Sequence, residues 1–511
     1  MKVRSDILAP LLSGLLMALA FPHTLPVVDS PALEAACGGL AWVGLVPLFV
    51  VFSRRPARSG FLAGLAFFAP MLYWLNLVMT TFGHLPWLLA LGCYLLLVAY
   101  LALFWAGACW CSWHIHQRLG LSLYLVLPVV WVSFAWLRSH LFTGFPWAIL
   151  SYSQAALPSL IQSVDLAGIW LPLFLLVLVN SVLAGLWQRC RGTGSCPTAT
   201  LMLVLVLWLS NWGYGLWAQQ QDWSAGGDAL RVALVQGNID QQVKWQASHL
   251  EETLLRYEQL SSVAHQPQLL VWPESATPFF YQDGGRRTRR VRFVAQDGQA
   301  QLLFGSPAWQ RQGDRYRYLN SAYLLSAKGE DLGRSDKIHL VPFGEYVPLS
   351  GLLSFVDKLA EGIGDFVPGK LALLPAGGVP SGVLICYEAI FSELAREQVR
   401  HGAALLFNLT NDAWFGNSSA PWQHLDMARF RSIEQRRWLA RCANTGFSAL
   451  ISPTGEVTTR SALFEATVIE GEIVPAHIQT LYARLGDKPV WGLVVVTLLW
   501  LWQSRRKPLS A

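Results

Sequence analysis

Charge is spread so unevenly along this chain that it divides the sequence in two. Residues 1–219 carry only 13 of its 70 charged side chains, while the other 292 residues carry 57, a normal density for a domain in water. Over 511 positions the chain is 53% hydrophobic, with 24 Trp and only 14% charged residues, which is too apolar for an average soluble protein. The sequence therefore predicts a membrane protein that carries a soluble block.

Within the first block, charge-free stretches at roughly 7–22, 35–53, 60–80, 85–112, 120–137, 166–188 and 198–218 read as spanning helices, most near the ~20 residues a bilayer requires. An eighth candidate, Val490 to Trp502, is short. It is favoured as a span by the charges that bound it and by Trp491, Trp500 and Trp502 as interfacial anchors. The expected division is a membrane domain over 1–219, a soluble domain over 220–487, and a last helix with its tail over 488–511. With a cytoplasmic N-terminus, eleven basic residues fall on inward-facing ends and loops, against Arg138 alone in the short outward ones. That is the positive-inside asymmetry, and seven spans then place the soluble block outside the cytoplasm. Ala18-Leu19-Ala20 also fits a signal-peptide cleavage site; an uncleaved anchor is preferred, and the later topology is the same either way. Arg138 reads as an interfacial anchor, with a contact to lipid phosphate as the second reading.

The net charge of +6 mostly restates the inward loops, which argues apposition to a lipid bilayer and against a nucleic-acid partner. Of eight cysteines, only Cys386 and Cys442 lie in the soluble block. Cys109-Trp110-Cys111 lacks metal-ligand spacing, so neither a metal site nor a cofactor is expected. Cys386 and Cys442 are free to pair in an oxidising compartment, although nothing in the sequence brings them together.

After a polar exit at Asp222 to Asp228, short β-branched runs alternate with amphipathic ones. Strands are expected at 230–235, 269–272, 302–304, 321–325, 383–385, 405–407 and 448–451, and helices at 246–264, 391–400 and 424–440. The alternation predicts an α/β domain whose helices cover sheets. Cys386 ends the apolar run Val383-Leu384-Ile385 and opens a polar segment. A thiol delivered by a strand to a helix start becomes a nucleophile, because the first-turn N–H groups favour thiolate and oxyanion; an inert core cysteine is the competing reading. Glu274 follows Trp272-Pro273 at another strand end, where α/β enzymes place reacting groups. Lys337 and Glu345 sit in the Pro- and Gly-containing stretch 333–348.

Together Glu274, Lys337 and Cys386 resemble the Glu-Lys-Cys triad of the carbon–nitrogen hydrolase (nitrilase) superfamily. The resemblance extends over Gln236-Gly237-Asn238, Trp272-Pro273-Glu274-Ser275, Asp336-Lys337, Pro342-Phe343-Gly344-Glu345, Ile385-Cys386-Tyr387-Glu388, Asn411-Asp412-Ala413-Trp414-Phe415-Gly416 and Asn444-Thr445-Gly446-Phe447-Ser448. Seven spans before such a domain and one after it look like the apolipoprotein N-acyltransferase family of the bacterial inner membrane. The resemblance implies an αββα sandwich facing the periplasm. It implies transfer of a fatty acyl chain from a phospholipid to the α-amine of a diacylglyceryl-cysteine apolipoprotein, through a thioester on Cys386. Glu274 would be the acid/base and Lys337 the thiolate and oxyanion partner. Glu345 and Glu388 would support the triad, and Trp245, Tyr387 and Trp414 would line the acyl or peptide path. A membrane-tethered amidase acting on small periplasmic amides shares the same triad and is the alternative. A transporter is disfavoured by the near absence of charge inside the spans. The apolar spacing of Leu349, Leu352, Leu353, Val356, Leu359 and Ala360 describes an amphipathic helix, read either as a lipid gate over 349–364 hinged at Gly362 and Gly364 or as a helix packed on the domain.

Overall fold

The computed structural model describes residues 2–24, 30–192, 198–346 and 366–506. The proposed gate at 349–364 lies outside the described residues. Among the described residues the N-terminal region is mainly helical and has no strand. Among the described residues four helices are long and apolar enough to cross a membrane: Trp87–Leu119, Leu123–His140, Trp170–Cys190 and Thr198–Gln219. The pair Pro56–Leu72 and Trp74–Phe82, bent by 49°, makes a fifth if it is one span.

Three expected spans take other forms. The first lies in Lys2–Leu19, whose apolar part, Ser5–Leu19, is shorter than the four. The second is split into Pro31–Leu40 and Val46–Val51. The eighth belongs to a longer helix, Lys488–Arg506, whose charged ends take it below the apolarity of the four. That last helix packs on Leu123–His140, with Thr497 and Ser133 hydroxyls 3.0 Å apart. Arg138 is corrected on both readings. Its side chain is buried, donates to the carbonyls of Phe145 and Trp147 at 2.8 Å, and lies over the Phe68 ring, so it ties a loop to the bundle.

The soluble block folds as two sheets back to back. The strands are β1 Leu230–Gln236, β2 Leu269–Val271, β3 Gln301–Gln312, β4 Arg315–Leu325, β5 Asp331–Asp336, β6 Ser381–Ile385, β7 Leu405–Thr410, β8 Leu439–Ala443, β9 Ala449–Ile451, β10 Val457–Arg460 and β11 Thr467–Ile473. One sheet runs β11-β1-β2-β3-β4-β5 and the other β10-β9-β8-β7-β6. The period of two along each strand makes the layers. Val232, Leu234, Val271 and Leu303 meet Val383, Ile385, Leu405, Phe407 and Leu409 between the sheets. The alternate residues Ala233, Val235, Leu270 and Leu302 turn outward against the helices Leu250–Ser262 and Gly285–Asp297. On the second sheet Leu384 and Leu406 face the helices Ser392–Arg400 and Ala420–Gln435. Helix, sheet, sheet, helix is the expected αββα order. Buried on both faces, these strands read as continuous apolar runs.

One expected element is wrong. The helix placed at 424–440 stops at Gln435, Arg436 turns left-handed (φ 49°), and Leu439–Ala443 is a central strand paired to β7. The halves of the chain are joined by buried polar contacts. Arg436 donates to Asp165 at 2.7 and 2.9 Å, and Trp136 and Trp170 both donate to Asp487 at 2.9 Å.

Candidate active site

Parallel pairing of β1, β2 and β3, and of β6, β7 and β8, brings the carboxyl ends of six strands to one rim. Strand β5 runs the same way as β3, being two antiparallel steps removed. The rim therefore receives Glu274 after β2, Lys337 after β5, Cys386 after β6 and Asp412 after β7. Such rims are where open α/β sheets present reacting groups.

Glu274 needs a close backbone approach. A Cβ on Gly305 would lie 2.7 Å from the Glu274 Cα, so only glycine on β3 lets Pro273-Glu274 pass. Its Oε1 accepts from Asn320 Nδ2 at 2.7 Å and from Lys337 Nζ at 3.4 Å. The Lys337 ammonium is 1% exposed and lies 3.0 Å from Glu345 Oε1. Although burial opposes its charge, the carboxylates of Glu345 and Glu274 raise its pKa well above the ordinary lysine value, so it is a permanent cation. Asn320 also donates to Glu345 at 2.8 Å, and Glu345 Oε2 accepts from Val341 N at 2.8 Å.

Cys386 is 8% exposed and adopts a left-handed backbone (φ 53°) between β6 and the turn Cys386–Ile390. A non-glycine residue is strained there and persists only where its surroundings over-determine it. Two sets of contacts do so. Glu388 folds back, accepting from Ile385 N at 2.7 Å, Ile338 N at 2.6 Å and His339 N at 3.0 Å, and so ties the elbow to the Lys337 loop. Burial lifts Glu388 to about 7 against the pull of those N–H groups and Lys337. Behind the elbow, His424 Nε2 lies 3.2 Å from the Cys386 carbonyl and Nδ1 3.0 Å from Asp412, which also accepts from Arg441 at 2.6 Å and Thr410 at 2.9 Å. Arg441 and Asp412 are wholly buried, and Arg441, with the other contacts, holds the Asp412 carboxylate well below the usual range.

Burial, then Glu274, push the Cys386 thiol up to about 12, while Lys337 and a hydrogen bond with Thr410 pull it down. It rests as a thiol and needs a base to react. Cys442 is free and buried between the sheets, its thiol directed at the carbonyls of Val271 (3.2 Å) and Val235 (3.5 Å), so no disulfide occupies Cys386. Among the described residues no cluster of metal-ligating side chains occurs.

The three expected aromatic residues lie in different surroundings. Half-buried Tyr387 packs edge-on to Phe391, ring centres 5.2 Å apart. Trp414 meets Phe82 of the bent helix pair, ring centres 5.1 Å apart. Trp245 stands farther out, lining an open cleft with Phe279, Phe280, Arg286 and Arg287. Sequence reasoning missed Asn320, Lys244, Thr410, His424 and Arg441. Of these, only Lys244, beside Trp245, and Thr410, beside the 411–416 motif, adjoined residues already singled out.

Strand order, rim and elbow define a carbon–nitrogen hydrolase domain, and the pattern of that family matches residues 231–483. Residues 13–182 match the apolipoprotein N-acyltransferase N-terminal domain. The apolipoprotein N-acyltransferase of Geobacter metallireducens is 44% identical over 501 residues, covering 96% of this chain and 94% of the relative. That of Pseudomonas paraeruginosa is 33% identical, covering 96% of both chains. A solved amidase structure from Nesterenkonia sp. is 20% identical, covering 53% of this chain and 98% of the amidase, with a TM-score of 0.37. The chain belongs to the apolipoprotein N-acyltransferase family.

Proposed function

We propose that this protein moves a fatty acyl chain from a phospholipid to the α-amine of a diacylglyceryl-cysteine apolipoprotein, through a thioester on Cys386. The carrying observation is the assembly of Glu274, Lys337 and Glu345 beside a strained, buried Cys386 in one chain with a family-matched helical region. Glu274 takes the Sγ proton as the sulfur attacks the ester carbon. The negative charge then passes to the carbonyl oxygen, where Lys337 and the Tyr387 N–H meet it. On collapse the lysophospholipid oxygen leaves with the proton from Glu274, and the acyl group stays on sulfur. In the second half the amine attacks the thioester, Glu274 accepts its proton, and that proton returns to the departing sulfur. Glu345 holds Lys337, and Glu388 holds the elbow and the lysine loop in register. Tyr387, Trp414 and Trp245 form the walls of the acyl and peptide path.

Residues 1–219 form the membrane domain, 220–487 the catalytic domain and 488–511 the last span and tail, eight crossings in all. The basic residues favour a cytoplasmic N-terminus in the bacterial inner membrane, with the catalytic domain in the periplasm. The Phe82–Trp414 contact is compatible with lipid reaching the catalytic domain from the helical region.

Purified protein supplied with labelled phospholipid and a diacylglyceryl-cysteinyl peptide should yield the N-acyl peptide and lysophospholipid in equal amounts. Free fatty acid alone, with the peptide unchanged, would replace this reading with a hydrolase.

A further inference from the structure

Lys244 is a buried cation that the chemistry above leaves unused. It lies in the loop after β1, 1% exposed, and its ammonium donates to the Glu274 main-chain carbonyl at 3.1 Å. Among the described residues that is its one hydrogen bond, and no carboxylate oxygen lies within ion-pair distance. Lys337 is held by two carboxylates, whereas Lys244 is held by none. An ammonium carries three donors, so its charge here is poorly solvated. Burial lowers its pKa to about 8, with Glu274 and Cys386 pulling it back up.

The charge balance of the site explains why such a group is kept. With both carboxylates ionised, Glu274, Glu345 and Lys337 carry one net negative charge, which opposes forming a thiolate among them. Lys244 cancels that excess. Proton transfer from Sγ to Glu274 shifts negative charge from the carboxylate to the sulfur, and Lys244 interacts with both ends. Other groups face the same site: Lys337 and Asp412, from the ends of β5 and β7, act on Cys386, and Glu345 and Glu388 act on Lys337. On its own loop, the Asp240 carboxylate accepts from Gln242 N, and the Asp240 carbonyl from Lys244 N.

We propose that Lys244 is a positioning residue for acyl-enzyme formation: it anchors the main chain of Glu274 and, while protonated, offsets the negative charge that moves to Cys386. The inference rests on the acyl-transfer reading. It sets opposite pH limbs on the two half-reactions. Thioester formation weakens as Lys244 loses its proton, whereas aminolysis strengthens as the α-amine, with an ordinary pKa of ~7.7–8.0, becomes neutral.

The test uses full-length wild type, Lys244→Met and Lys244→Arg in detergent with a single defined phosphatidylethanolamine. Single-turnover acylation is followed by intact mass from pH 6.5 to 9.5, and aminolysis is then started with a diacylglyceryl-cysteinyl peptide. Wild-type acylation should decline through about pH 8. Lys244→Met should slow acylation at least about tenfold more than aminolysis, with no alkaline limb and no loss of melting temperature. Lys244→Arg, which does not titrate in this range, should restore the rate and keep it level to pH 9.5. Equal slowing of both halves together with a lower melting temperature, or a wild-type acylation rate in Lys244→Met, would overturn the inference. If wild type forms no thioester at Cys386, the acyl-transfer reading itself is what fails.

Discussion

Lys337 Nζ stands 3.0 Å from Glu345 Oε1, nearer than the 3.4 Å that separates it from Glu274. The permanent cation is therefore held mainly by Glu345. Glu274, whose proposed task is to take and return a proton, keeps a looser grip on it.

Removing that hold should damage the site directly. Glu345→Ala leaves Lys337 one carboxylate, which draws it onto Glu274 and weakens Glu274 as a base. A positioned general base contributes about 10²–10⁴ in rate, so weakening Glu274 should lower acyl-enzyme formation by about a hundredfold. Glu345→Gln keeps the shape and should fall less. Rapid-quench intact mass measures both.

Glu388 accepts three main-chain N–H groups from two segments. Glu388→Gln turns an amide NH₂ toward one of them and leaves a buried donor unpaired, at about 1–3 kcal/mol. Melting temperature and acylation rate should fall together, and Glu388→Asp, too short to span both segments, should not restore them.

His339 packs against Phe391 with ring centres 3.8 Å apart and planes tilted by 32°, and burial, then the Lys337 charge, push its pKa from 6.5 down to about 4. The unfolded chain binds this proton first, so the contribution of His339 is complete above about pH 6.5 and is lost as pH falls toward 4. Relative to His339→Phe, wild type should lose roughly 2 kcal/mol of stability across that window. Chemical denaturation of both proteins at pH 7.5 and 4.5 checks the difference, and acidic groups shared by the two cancel.

Arg436 and Asp165 join the catalytic domain to the helical region at 2.7 Å, both buried. Asp165→Ala removes the guanidinium's counter-ion, leaving it only the neutral acceptors of Gln162 and Pro453, and should destabilise by about 3–5 kcal/mol. The double variant Asp165→Ala/Arg436→Met should recover much of that, as differential scanning fluorimetry would show.

The sandwich was legible because its central strands, such as Leu405-Leu406-Phe407, are buried on both faces and have no polar phase to confuse. The arginine-rich stretch after Gln435 misled for the opposite reason. Arg436, Arg437 and Arg441 suggest a solvated helix face, yet all are buried, satisfied by Asp165, by main-chain carbonyls and by Asp412. Strands β5, β10 and β11 escaped notice because they are largely polar and exposed or half-buried, without an apolar run. At the site, Glu274, Lys337 and Cys386 stood out by ending an apolar run or lying in a Pro- and Gly-containing loop, and their reading as a triad came from the resemblance of the motifs around them to the carbon–nitrogen hydrolases. Asn320 and His424 could not, since their roles come from register and helix packing, which leave no local pattern. The broken helices at 31–51 and 56–82 were hidden too, because an apolar run does not say where its backbone bends.

The most direct measurement is the intact mass of the purified protein after incubation with a phospholipid of one defined acyl chain, followed by peptide mapping. The account predicts one added acyl group, located at Cys386, absent from Glu274→Gln and Lys337→Met, and discharged when the diacylglyceryl-cysteinyl peptide is added. Acyl transfer to the peptide by a Cys386→Ala variant, or an acyl group carried on any other residue, would contradict it.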